Sequence, residues 1–123
     1  LKKAKQMVVR GQGDKLVEGF TYLPLTAKRY LSLCQPGNAE DVFDYYAKNP
    51  KLKAFSNITK PLCIIFGGTD EYNDRPAKDI LGVFKKYQKS VKYHQAIIPG
   101  AFHSFGGKEK EFVGKVAAWI KSL

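Results

Sequence analysis

Two short stretches carry side chains able to do chemistry together. Gly67-Gly68-Thr69-Asp70-Glu71 follows one expected strand, and Pro99-Gly100-Ala101-Phe102-His103-Ser104-Phe105-Gly106-Gly107 follows the next. A carboxylate fixes the tautomer of an imidazole and stabilises the imidazolium, while the imidazole moves the proton of a nucleophile. Asp70 and His103 can thus do the supporting work of a nucleophilic hydrolase. The glycines let the backbone turn sharply and keep the imidazole unobstructed. Plainer readings stand beside this one. Asp70 can cap its own loop through backbone amides, and His103 can be an ordinary loop histidine. Glu71 and Asp74 are rival acids, although Glu71 would point differently and Asp74 suits a helix N-cap better. His94 falls inside the second expected strand and reads as a packed or edge residue. Cys63 reads as a small core hydrophobe. Cys34 paired with His103 is the weaker nucleophile candidate, because no pKa-lowering surroundings can be argued for it. Ser104 reads as a local hydrogen-bonding residue.

The elements that must position these loops are legible on either side of them. Pro61-Leu62-Cys63-Ile64-Ile65-Phe66 is a continuous apolar run closed by Gly67-Gly68, the pattern of a strand buried on both faces of a parallel sheet. A helix is expected from near Asp74, with Pro76 in its first turn and Ala77, Ile80, Leu81, Phe84 and Tyr87 at helical spacing. Val91 to Ile98 reads as a second strand ended by Pro99-Gly100. Lys108 to Leu123 reads as a closing helix with Phe112, Val113, Val116, Ala117, Trp119 and Ile120 on a broad apolar face. Strand, helix, strand, helix in that order implies a right-handed crossover and a layered α/β architecture. Functional residues in such sheets collect beyond the carboxyl ends of the strands. Both loops open there, so the Asp70 and His103 side chains are expected to converge within hydrogen-bond reach.

Residues 10–60 are less regular, and residues 1–59 read as a linker and a cap-like or lid-like segment. Gln6 to Arg10 fits either a short strand or the end of a helix. Helices are expected from Thr26 to about Leu33, and from an N-cap at Asn38 through Val42, Phe43 and Tyr46. Phe20, Tyr22, Tyr30, Phe43, Tyr45, Tyr46 and Phe55 make this half dense in aromatics. Such a cluster is more often core than ligand box, although in a cap it could line an acyl or aromatic substrate channel.

Residues 60–123 resemble the last two strand–loop–helix units of an α/β-hydrolase. In that family the acid follows a strand in a G-x-x-D context, and the histidine follows the final strand before the closing helix. Gly67-Gly68-Thr69-Asp70 matches the first pattern, and Gly100-Ala101-Phe102-His103-Ser104-Phe105 resembles the second. The order of acid and histidine is also the family's. Leu25 to Leu33, with Glu40-Asp41-Val42-Phe43, resembles the cap of a eukaryotic branch that contains the fungal siderophore-type esterases. The departure concerns the nucleophile, which the family carries in a G-x-S-x-G elbow on an earlier strand. None of Ser32, Ser56, Ser90, Ser104 or Ser122 has glycines two positions away on both sides. The resemblance therefore implies the C-terminal part of a sheet whose nucleophile-bearing N-terminal half is absent.

Composition narrows the classes further. The 123 residues, 44% hydrophobic and 26% charged, are globular in character. No apolar run approaches the roughly 20 residues that cross a bilayer, no signal peptide is visible, and two cysteines make neither a disulfide scaffold nor a metal module. An intracellular, cytoplasmic location is the expectation. A first residue of Leu suggests a sequence that begins mid-protein. The net charge of +10 is spread evenly, with 11 basic residues against 5 acidic in 1–60 and 10 against 6 in 61–123. Lysine supplies 18 of the 21 bases, and lysine is a solubilising point charge more than a reader of base edges. Nucleic acid is thus a partner not favoured by the pattern. The resemblance implies a serine hydrolase acting on a small-molecule ester, without metal or cofactor, in which Asp70 orients His103. The alternative is a non-catalytic α/β-hydrolase-like binding or assembly subunit that uses its basic surface.

Overall fold

A computed structural model describes residues 1–19, 24–38 and 40–123, and it divides into two units, Leu1–Asp44 and Tyr45–Leu123. In the first unit, helix α1 (Lys2–Val9) packs on helix α2 (Ala27–Cys34). Ala4, Val17 and Ala27 form its small core, with Met7, Val8, Tyr30 and Leu31 against them. Gln6 to Arg10, open between strand and helix, is thus the end of a helix. Thr26 starts α2 by accepting a hydrogen bond from the Arg29 amide on its Oγ1 at 3.2 Å, the satisfaction of an orphan donor that defines an N-cap.

The helix expected from Asn38 does not form among the described residues 40–46. The Asn38 side chain is committed elsewhere. Its Nδ2 donates back to the carbonyls of Leu31, Ser32 and Gln35, closing the end of α2, and its Oδ1 accepts from the Glu40 and Asp41 amides. An Asn bonded this way stabilises a turn in place of a new helix. Phe20 and Tyr22, counted in the aromatic cluster, lie outside the described residues.

The second unit holds helix α3 (Lys53–Ser56), strand β1 (Leu62–Gly67), helix α4 (Ala77–Tyr87), strand β2 (Tyr93–Ile98) and helix α5 (Glu109–Lys121). The two strands are parallel, in register from Leu62 opposite Tyr93 to Gly67 opposite Ile98. This is a mixed α/β fold. The α4 helix covers one face: Ile80, Leu81 and Phe84 are buried with Leu52 and Phe55, and Leu62, Ile64, Phe66 and Ile97 pack against them. Aromatic rings thicken this core, with Phe55 4.9 Å and Tyr45 5.8 Å from Phe84 between centroids. The aromatics of residues 45–55 that contact Phe84 are core residues. Side chains alternate along a strand, so Cys63 and His94 turn to the other face, where His94 stacks on Trp119 of α5 at 5.8 Å. Burial pushes the Cys63 thiol up, as suits a core residue.

Two element starts differ from the sequence reading. The α4 helix begins at Ala77 behind Pro76, and Asp74 does not cap it. The Arg75 guanidinium instead grips both Asp74 oxygens, from 2.6 to 3.1 Å, a charge-assisted fork that outcompetes a neutral amide. It holds the Asp74 carboxyl below the usual carboxylate range. Strand β2 begins at Tyr93, because Val91 and Lys92 form the approach: the Val91 amide donates to Thr59 and the Lys92 carbonyl accepts from Leu62.

Candidate functional site

Each of the two loops leaves the carboxyl end of its strand, and the backbone stitches them together. The Gly68 amide donates to the Ile98 carbonyl and the Thr69 amide to the Ala101 carbonyl, both at 2.9 Å. Gly67 sits where these chains press closest. A Cβ there would stand 2.5 Å from the Ala101 oxygen and 2.7 Å from the Phe102 oxygen. The missing side chain is what lets one loop lie over the other. Beyond it, Gly100 turns through a φ of +68°, and Phe105 holds a φ of +57°, rare for a residue with a Cβ. The Phe105 ring is held against Phe112 of α5 at 4.6 Å.

The loops bring Asp70 and His103 together. Asp70 Oδ2 lies 3.0 Å from His103 Nδ1, with the aspartate side chain 7% exposed and the imidazole 63% exposed. Asp70 Oδ1 accepts from the Tyr72 amide at 3.0 Å, so both carboxylate oxygens are engaged and the group cannot rotate away. An ionised carboxylate only accepts hydrogen bonds, so a neutral imidazole paired with it carries its proton on Nδ1 and keeps the lone pair on Nε2. The unprotonated nitrogen belongs to the exposed ring. A pocket of about 200 Å3, lined by Ile65, Phe66, Gly67, Asp70, His103 and Phe105, opens beside the pair.

Glu71 takes a different role from its neighbour. Its Oε2 accepts from the backbone amide of His103 at 3.0 Å, while the ring nitrogen pairs with Asp70. Tyr72 sets its ring edge-on to the imidazole at 5.0 Å. Three consecutive residues therefore hold His103: one at Nδ1, one at the main chain and one at the ring face. The sequence chose Asp70 and set Glu71 aside as a rival acid that points differently, but it gave neither Glu71 nor Tyr72 a part in holding His103, because a backbone contact 32 residues away leaves no local pattern.

The remaining candidates separate cleanly. Asp74 is paired with Arg75 and His94 with Trp119. Cys34 is exposed at the end of α2, in the other unit. Ser104 is exposed on the turn after His103. Among the described residues no group of three or more His, Cys, Asp or Glu side chains is arranged to hold a metal ion, and no helix is long and apolar enough to cross a membrane.

Residues 1–121 match the family described as protein of unknown function DUF1749, and the chain belongs to that family. Comparison with curated proteins and with solved structures gives no match.

Proposed function

We propose that this member of the DUF1749 family is the C-terminal part of an α/β-hydrolase-type serine hydrolase, acting on a small-molecule ester. The observation that carries the reading is the 3.0 Å contact between Asp70 Oδ2 and His103 Nδ1, made beyond the carboxyl ends of two adjacent parallel strands. The resemblance of Gly67-Gly68-Thr69-Asp70 and Gly100 to Phe105 to the family's acid and histidine loops supports it. Residues 1–59 would contribute a linker and a cap-like segment, and residues 60–123 the end of the sheet.

In this reading the nucleophilic serine and the oxyanion-hole amides come from sequence outside these 123 residues. His103 Nε2 removes the serine proton as the oxygen attacks the ester carbonyl, and then hands that proton to the departing alkoxide. Water repeats the two transfers to release the acid. Asp70 keeps the proton on Nδ1 and stabilises the imidazolium between transfers. The apolar walls of the adjoining pocket, Ile65, Phe66 and Phe105, suit a small acyl or alkyl group. No cofactor is called for.

Labelling by a fluorophosphonate probe tests the reading in a protein that contains the upstream region together with these residues. Labelling and ester hydrolysis are expected, and His103→Ala should abolish both. Hydrolysis that persists in His103→Ala would refute the assignment.

A further inference from the structure

The loop that carries His103 is held from two sides. Asp70 and Glu71 hold it from the β1 side, at Nδ1 and at the main chain. The other hold comes from α5. Between Phe102 and Lys108 the chain makes two consecutive turns that share one residue. The Phe105 amide donates to the Phe102 carbonyl at 3.0 Å, and the Lys108 amide donates to the Phe105 carbonyl at 2.8 Å. His103 and Ser104 are the central pair of the first turn, and Gly106 and Gly107 are that of the second. Phe105 is the pivot between them. Its backbone torsions set the direction in which the His103 turn faces relative to α5.

That pivot sits at φ +57°. The other left-handed positions of this stretch, Gly100 and Gly107, carry no Cβ and take the region freely. A phenylalanine held there is strained and persists only where its surroundings enforce it. The side chain supplies the enforcement. The half-buried Phe105 ring lies 4.6 Å from the Phe112 ring between centroids, with 31° between their planes, within the range of an attractive aromatic pair. The start of α5 that receives the ring is itself tied down. The Phe112 amide donates to the Lys108 carbonyl at 3.0 Å, and Glu109 Oε1 accepts from the Gly107 amide at 3.0 Å. The imidazole, by contrast, is 63% exposed, so close packing does not orient it.

We propose that Phe112 is a positioning residue for His103: it grips the Phe105 ring, and that grip fixes the left-handed pivot that aims the imidazole at Asp70. Phe112 acts only through Phe105 and touches no reacting atom. Phe105 also lines the pocket beside the pair, so one contact with α5 fixes both a pocket wall and the imidazole. The use of this pair in ester hydrolysis rests on the reading above. The geometry of the pair does not, and it can be measured directly in this chain.

Nitrogen NMR of the His103 imidazole, at a pH where the ring is neutral, gives the ratio of the Nδ1–H to the Nε2–H tautomer. Phe112→Ala should lower that ratio at least about tenfold, the scale of one hydrogen bond to a charged group. Phe112→Leu, which keeps an apolar contact for the Phe105 ring, should retain most of it. Phe105→Gly keeps the left-handed backbone but loses the ring, and it should lower the ratio as far as Phe112→Ala does. The double variant should lower it no further, because both changes remove the same contact. Circular dichroism checks folding, and Phe105→Gly carries the test if Phe112→Ala does not fold. An unchanged ratio in Phe105→Gly or in a folded Phe112→Ala, or effects that add in the double variant, would overturn the proposal. Failure of the hydrolase reading would show instead in labelling and turnover, and would leave these ratios as they are.

Discussion

Asp70 and Glu71 are adjacent carboxylates with separate duties, and substitution separates them. Asp70→Asn preserves shape but can turn an NH2 group toward Nδ1, which then holds its lone pair and shifts the proton to Nε2. Nitrogen-detected NMR of the imidazole should show that exchange of tautomers in this chain. Turnover by an assembled enzyme should fall by about a thousandfold or more. An unchanged tautomer would mean that the 3.0 Å contact does not govern the ring. Glu71→Ala should behave otherwise. The His103 amide loses its acceptor, and its hydrogen exchange should quicken by about tenfold, the scale of one charge-assisted bond. The tautomer should stay as it was, and Glu71→Gln, which retains an acceptor oxygen, should restore most of the protection.

Elements decide whether those residues meet at all, and Gly67 is where β1 and the loop after β2 touch. In Gly67→Ala the new methyl collides with two backbone oxygens, at 2.5 and 2.7 Å, and neither can swing aside as a flexible side chain would. A loss of about 2 kcal/mol is expected from overpacking of this kind, with the Asp70–His103 bond broken along with it. Gly114→Ala in α5 is the contrast. Its Cβ meets nothing within 4 Å, and alanine in a helix interior should raise stability by about 0.5–1 kcal/mol. Urea denaturation midpoints read both effects. This scale also explains what the sequence could reveal. Strand β1 was legible because a continuous apolar run closed by glycine has few alternatives, β2 because its segment is stopped by Pro99-Gly100, and the site followed from where the two strands end. The Asn38 helix and the Asp74 cap were misread for a shared reason. Each residue has the right type for an N-cap, but its partner is chosen by geometry: the carbonyls at the end of α2 for Asn38, and the Arg75 fork for Asp74.

For the whole molecule, charge and exposed apolar surface set behaviour in solution. Hydrogen bonds from Ser32 and Arg29 depress the Glu40 carboxyl, Arg75 depresses Asp74, and the backbone amides of Glu109 and Gly107 depress Glu109. A carboxyl lowered in the folded state adds stability above its unfolded value and loses it as pH falls through the folded one. Thermal melting temperature should therefore be flat above about pH 5 and decline below pH 4, by little, because these groups are exposed and screened. A decline beginning near neutrality would mean that other groups control it. Apolar surface has the larger consequence. Helix α5 buries none of its residues, and Val113 and Ile120 are each 61% exposed. Among the described residues β1 pairs only with β2, which leaves backbone donors and acceptors along an outer edge. Unpaired edges and apolar faces together favour association. Light scattering should show mass rising with protein concentration, and Val113→Lys/Ile120→Lys should reduce that rise. The hydrolase reading proposed above, which draws its nucleophile and oxyanion-hole amides from outside these residues, bears on catalysis at this scale. A carboxylate and an imidazole can move a proton, but with no positioned nucleophile they cannot form the covalent intermediate, and with no amide hole they cannot hold the oxyanion. The purified 123-residue chain should accordingly resist fluorophosphonate labelling and hydrolyse esters no faster than background, even though Asp70 and His103 are already paired. Robust turnover by this chain would place a nucleophile within it, and Ser104 and Cys34 would be the first residues to replace.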